Sequence, residues 1–197
     1  MRSGITAFAV IASIAVAGPA AAQFSDTYNF IKAVRDKDIT KAREILDKPG
    51  GTVVNTREAS TGDAPLHIVV RQRDLAWVGF LLQSNADVNV RDRDGNSPLM
   101  LAAGARFSDG VRLLLVVRAN VNQRNNAGET PLIKAVEAND VDDAKLLLDA
   151  GANPDLTDNA AGYSARQYAA QAGHQSMMKL LAEAKPRAAA PTQGPPR

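Results

Sequence analysis

The sequence predicts an all-α solenoid, a stack of about five helix-turn-helix units joined by polar β-turns. The first observation is a pattern written twice at an offset of 33. Gly95, Ser97, Pro98, Leu99, Ala102, Leu114, Leu115, Ala119 and Asn120 recur as Gly128, Thr130, Pro131, Leu132, Ala135, Leu147, Leu148, Ala152 and Asn153. Gly62, Pro65, Leu66, Leu81, Leu82, Ala86 and Asp87 stand 33 residues earlier still. The second is the opening of each unit, where Pro suits the first helical turn and Ser97 or Thr130 suits the cap before it. The third is the close of each unit at Asn85, Arg118 and Gly151, which predicts a left-handed residue ending a helix that carries a Leu-Leu pair.

Met1 to Ala22 reads as a cleaved secretory signal. Arg2 gives a basic start, Ile5 to Ala17 is apolar, and Ala20-Ala21-Ala22 offers small residues for cleavage between Ala22 and Gln23. The apolar run is shorter than the roughly 20 residues of a membrane span. The remaining chain divides into a repeat domain, 23–185, and a Pro/Ala-rich tail, 186–197, expected to be disordered. The units fall at about 26–55, 60–91, 94–124, 127–157 and 162–185. In the first, Ile31-Lys32-Ala33-Val34 repeats Ile133-Lys134-Ala135-Val136, and Lys48-Pro49-Gly50-Gly51 is expected to end its second helix. First helices are predicted over roughly 97–105 and 130–138 in units three and four. In the last, Ser164 stands where Thr130 did and Ala165 where Pro131 did. Trp77 shares a column with Gly110, Asp143 and Met177. It is read as core, filling the space that Gly110 leaves one unit away.

At Thr130-Pro131-Leu132, Leu147-Leu148, Gly151-Ala152 and Ala169-Ala170-Gln171-Ala172-Gly173-His174 the chain resembles the ankyrin repeat. The resemblance runs over about 24–185, and together with the leader it points to an exported bacterial type. Two departures stand out, since Ala64-Pro65-Leu66-His67 lacks the Thr of the family signature and Thr130-Pro131-Leu132-Ile133 lacks its His. The resemblance implies that His67 and His174 hydrogen-bond a turn. It also implies that partners are met by the turn tips and by the concave face of the first helices. By position those places are Arg57, Arg71, Gln72, Arg91, Arg93, Asn96, Arg124, Asn126, Glu129, Glu137 and Gln171.

Little in the sequence suggests chemistry. The chain holds two His and no Cys, which leaves too few ligands for a transition-metal site. Gly50-Gly51 lacks the Gly-Lys-Ser/Thr continuation of a phosphate loop. Asp140, Asp142 and Asp143 lack the spacing of a calcium loop. They read as a solvated helix start, where negative charge complements the dipole. No catalytic residue, metal or cofactor is expected.

The formal charge is +2, too small to suggest nucleic acid, but its distribution is uneven. Residues 57–124 hold nine Arg against seven acids, whereas 125–160 hold two Lys against eight acids. Arg57, Arg91 and Arg124 form one column, Arg73 and Arg106 another. The expected function is a non-enzymatic, monomeric protein-interaction module, free of membrane after signal cleavage. It would be exported to the periplasm, and its partner would carry an acidic surface strip. The resemblance implies support of a periplasmic enzyme or a stress response. The alternative is a secreted effector or toxin-associated protein acting outside the producing cell.

Overall fold

A computed structural model describes residues 19–48 and 53–184 of the protein, with side chains from Asp26 onward. The greater part of the expected signal, Pro49-Gly50-Gly51 and the tail 186–197 lie outside the described residues. The elements are α1 Pro19–Arg35, α2 Ile39–Leu46, a 3-10 turn at Val53–Asn55, α3 Pro65–Arg71, α4 Leu75–Gln83, α5 Pro98–Gly104, α6 Ser108–Val116, α7 Pro131–Glu137, α8 Val141–Asp149, α9 Ala165–Ala172 and α10 Gln175–Glu183. Each odd-numbered helix packs on the helix that follows it. The odd-numbered helices stack as one layer, and from α4 to α10 the even-numbered helices stack as a second. Among the described residues there is no strand, only a single bridge between Thr157 and Ser164. The all-α repeat solenoid is therefore the observed fold. Helix α1 runs through the expected cleavage junction at Ala22-Gln23.

Local chemistry fixes each helix start. Ser97 Oγ accepts from Met100 N at 3.3 Å, Thr130 Oγ1 from Ile133 N at 3.2 Å, and Ser164 Oγ from Gln167 N at 3.4 Å. In return Gln167 Oε1 accepts Ser164 N–H at 2.9 Å, completing a capping box. Where unit two has Ala64 in place of a hydroxyl residue, no side chain accepts the His67 N–H, and only the return bond is kept, His67 Nδ1 accepting Ala64 N–H at 3.0 Å as Gln167 Oε1 accepts Ser164 N–H. Three outer helices, α2, α4 and α8, use Asp instead. Asp38, Asp74 and Asp140 accept from Lys41 N, Trp77 N and Asp143 N at 2.9, 3.2 and 2.9 Å.

Helix ends follow the left-handed expectation. Asn85, Arg118 and Gly151 have φ of 64°, 64° and 96°. The first helices end the same way, at Lys37, Arg73, Arg106, Asn139 and Gly173, a recurrence the sequence pattern did not reveal. Three of these residues also reach into the next unit. Lys37 Nζ meets Asp74 Oδ2 at 2.6 Å, Arg73 donates to Arg106 O at 2.9 Å, and Arg106 donates to Ala138 O.

The core lies between the two helix layers. Leu66, Leu99 and Leu132 fill the inner layer, and Leu81, Leu114, Leu147 and Leu181 fill the outer one. Full burial of such a side chain is worth roughly 1.5–3 kcal/mol over leaving it exposed. Behind the core, Asn55, Asn89 and Asn122 form a ladder. Their Oδ1 atoms accept from Asp87 N, Asn120 N and Asn153 N, at 2.7, 2.7 and 2.8 Å. Asp155 ends the ladder and receives Arg166 Nε at 2.8 Å, while the rest of that guanidinium caps the carbonyls of Leu181 and Ala184.

Two expectations need correction. Trp77 is buried, at 7% exposure, and its ring meets Phe80 edge-on with centroids 5.3 Å apart. It does not, however, fill the space at Gly110. The ring of Phe107 occupies that space, and a Cβ at Gly110 would collide with it. Asp143 is not solvated either. It is 0% exposed, and both carboxylate oxygens are buried without a hydrogen-bond partner.

Candidate protein-binding surface

The tips between units are built from short side chains folded onto their own backbone. In unit three, Asp92 N donates to Asn96 O at 3.0 Å and Asp92 Oδ1 accepts Asn96 N at 2.7 Å. In unit four, Asn125 does the same for Glu129 N at 2.9 Å. In unit five, Asp158 Oδ1 gathers Ala160 N, Ala161 N and Gly162 N, at 3.0, 2.8 and 2.9 Å. Its Oδ2 accepts the Tyr168 hydroxyl. That bond pushes the tyrosine pKa up to about 12 and holds the carboxyl below its ordinary range, helped by the turn amides.

Consecutive tips are joined to one another. Arg93 N donates to Thr61 O at 3.2 Å, Asn126 N to Asp94 O at 2.9 Å, and Asn159 N to Ala127 O at 2.7 Å. The Arg column strengthens the joint. Arg91 Nη2 donates to Asn126 Oδ1 at 3.1 Å, and Arg124 Nη2 donates to Asn159 Oδ1 at 3.1 Å and Thr157 O at 2.6 Å. This explains Gly95 and Gly128. Both have positive φ, and a Cβ would lie 2.5 Å from Arg91 Nη2 in one case and 2.7 Å from Arg124 Nη2 in the other.

The charges separate into two groups. Basic residues of the first helices are paired with carboxylates. Arg35 meets Glu58 at 2.5 Å, Arg71 meets Asp92 at 3.1 Å and Asp63 at 3.5 Å, and Lys134 meets Glu129 at 2.7 Å and Glu137 at 3.1 Å. The tip residues are not paired. Arg57 forms no ion pair or hydrogen bond among the described residues, and Arg93 donates to Ala59 O at 2.6 Å. Arg91 and Arg124 likewise bond only neutral groups, which leaves their charge uncompensated.

On the face of the first helices, between α5 and α7, lies an open groove of about 750 Å³. It brings together four expected site residues, Arg71, Asn96, Asn126 and Glu129, with Asp94, Asn125 and Lys134 on its walls. Its floor is Met100, Leu101, Gly104 and Ala105, none of which is among the site residues expected from the sequence. The signal was present in the columns. In the 33-residue column at the ends of α3, α5 and α7 stand Arg71, Gly104 and Glu137, so unit three places its missing side chain between two long ones. Arg57, Arg91, Arg93 and Arg124 stand at the exposed edge outside the lining, with Arg91 and Arg93 joined to it through Asn126. Gln72 caps α3 and is exposed. Gln171 lies in a smaller hollow of about 400 Å³ with Glu137, Tyr168 and His174.

The two histidines differ. His67 is buried and bridges units, with Nε2 3.1 Å from Asn96 O, so Nε2 carries the proton and Nδ1 accepts. Burial holds its pKa below the ordinary value. His174 does not bond the turn as expected, because its Nδ1 is buried with no partner.

The family model described as Ankyrin repeats (3 copies) matches residues 30–125, 66–158 and 108–192. The chain belongs to the ankyrin repeat family. As an ankyrin repeat protein it is a protein-protein interaction module, and repeat domains of this kind are generally non-enzymatic. No curated protein matches the chain. Among the described residues, no helix of this ankyrin domain is long and apolar enough to cross a membrane, and no group of three or more His, Asp or Glu is placed to hold a metal ion.

Proposed function

We propose that this ankyrin domain works in the periplasm, exported by the leader 1–22, and binds a partner protein that offers an acidic strip to the tip edge. A secreted protein acting outside the producing cell is the alternative location. The observation that carries the partner's chemistry is the tip edge itself. Arg57, Arg91, Arg93 and Arg124 have no carboxylate partner, whereas the first-helix cations behind them are neutralised locally. A line of uncompensated guanidiniums favours carboxylates, speeds association and makes binding salt-sensitive. The acidic residues of unit four, Glu137, Asp140 and Asp142 among them, repel the partner's negative end and set its direction. Support of a periplasmic enzyme or a stress response fits this arrangement and follows from the family resemblance together with the leader.

Arg57 gives the cleanest test. Arg91 and Arg124 hold neighbouring tips, so reversing them would disturb the fold, but Arg57 is exposed and makes no bond. The mature protein, recovered from periplasm with the mass of residues 23–197, is used to capture its partner. Arg57→Glu should then weaken binding by about tenfold at low salt, roughly 1.4 kcal/mol. The difference should shrink as salt rises, with the melting midpoint unchanged. Equal affinity of the variant and the parent at low salt would argue against the acidic strip, and recovery in the medium would favour the secreted alternative.

A further inference from the structure

The groove between α5 and α7 differs in kind from the basic edge beside it. Apart from Asp94, every polar side chain on its walls is already bonded within the chain. Asn96 Oδ1 accepts Asn125 Nδ2 at 2.9 Å, Asn126 Nδ2 donates to Arg93 O at 3.0 Å, and Arg71, Glu129 and Lys134 are held in ion pairs. Groups satisfied in this way have little to offer a polar ligand, and they lose little when a partner covers them. The free part of the groove is its floor. Leu101 is half-buried and Ala105 with it, and Gly104 is exposed. A Cβ added at Gly104 would meet only Lys134 Cβ, at 3.8 Å. The column of helix ends holds long side chains on both sides, Arg71 before and Glu137 after. Gly104 therefore opens a notch with an apolar base and walls of paired polar groups. That is the form of an anchor pocket, in which one large apolar side chain is desolvated inside a polar rim.

We propose that this notch takes a single large apolar side chain, Leu, Met or Phe, from an acidic stretch of the partner protein. The acidic flanks are set by charge complementarity, since Arg91 and Arg93 lie at the tips beside the groove with no carboxylate partner. The proposal rests on the acidic-partner reading for those flanks, but the notch itself rests on Gly104 and the floor. It makes Gly104 the residue that sets specificity, through the side chain it lacks.

The test uses defined peptides, Glu-Glu-Xaa-Glu-Glu with Xaa as Leu, Phe or Ala, and Gly-Gly-Leu-Gly-Gly, titrated into the protein while backbone amide resonances are followed. Glu-Glu-Leu-Glu-Glu and its Phe form should shift Leu101, Gly104 and Ala105 saturably and bind at least about tenfold more tightly than the Ala form. Gly104→Gln fills the notch with a good helix former, so it should fold at least as well as the parent and lose that preference. Gly104→Ala should keep most of it. The notch is overturned if the Ala peptide binds as tightly as the Leu peptide, if Gly104→Gln binds the Leu peptide like the parent, or if no peptide shifts these amides. If the Leu peptide with Gly flanks binds as well as the one with Glu flanks, the notch stands and the acidic flanks are wrong.

Discussion

At position 143 the outer layer brings in a carboxylate where neighbouring units hold Trp77, Gly110 and Met177. Burial, with Asp140 and Asp142 close by, raises the Asp143 pKa, and Ser108 and Arg112 on α6 only partly oppose it. The folded state therefore prefers the neutral acid. A group whose folded pKa lies above its unfolded value gives stability below the unfolded value, near 3.9, and loses it as pH rises through the folded pKa. At neutral pH Asp143 is a cost. Asp143→Met, copying position 177, should raise stability at pH 7 by about 1–3 kcal/mol, the scale of a buried unsatisfied polar group. The gain should shrink as the pH falls toward 4, which melting midpoints across that range would show. A gain independent of pH would mean that packing, not charge, is the cause.

Helix α6 is the element that departs most from its neighbours. Phe107 stands where Asp38, Asp74 and Asp140 cap α2, α4 and α8, and it makes no cap bond. Its ring lies over Gly110, so the lost cap is offset by a buried aromatic and the glycine keeps the room for it. Gly110→Ala should cost roughly 1–3 kcal/mol by overpacking. Combined with Phe107→Asp, the same change should cost much less than the sum of the two, because the clash disappears and the cap returns. Additivity in that double-mutant cycle would dismiss the pairing.

The same helix shows what was legible in the sequence and what was not. Helix existence, the Ser97, Thr130 and Ser164 caps and the left-handed Arg118 follow from residues near each other in the chain or exactly one repeat apart. Phe107 and Gly110 lie within one helical turn, but reading along columns pointed instead to Trp77, one unit away. The tip clamps were invisible for a related reason. Arg91 and Arg124 reach Asn126 and Asn159, which are 35 residues on, outside the 33-residue register that made the repeat visible. The exposed Arg column was readable, but its bonding was not. The groove was hidden because its key residue, Gly104, is marked by a missing side chain.

As a whole, the molecule is a one-dimensional stack in which each unit touches its neighbours. The tip bonds, the Asn ladder behind the core and the Arg73 to Arg106 series bind those units along three lines. A surface spread over several units is therefore held rigid before a partner arrives, which reduces the ordering cost of binding. The central claim is that this surface, the tips and the face of the first helices, meets the partner, and that the outer helices do not. Hydrogen exchange of the protein with and without its captured partner tests that most directly. Slowed exchange is expected at the tips 91–96 and 124–129 and along α5 and α7, with α4, α6 and α8 unchanged. Protection confined to α4, α6 and α8, with the tips unaffected, would contradict the account.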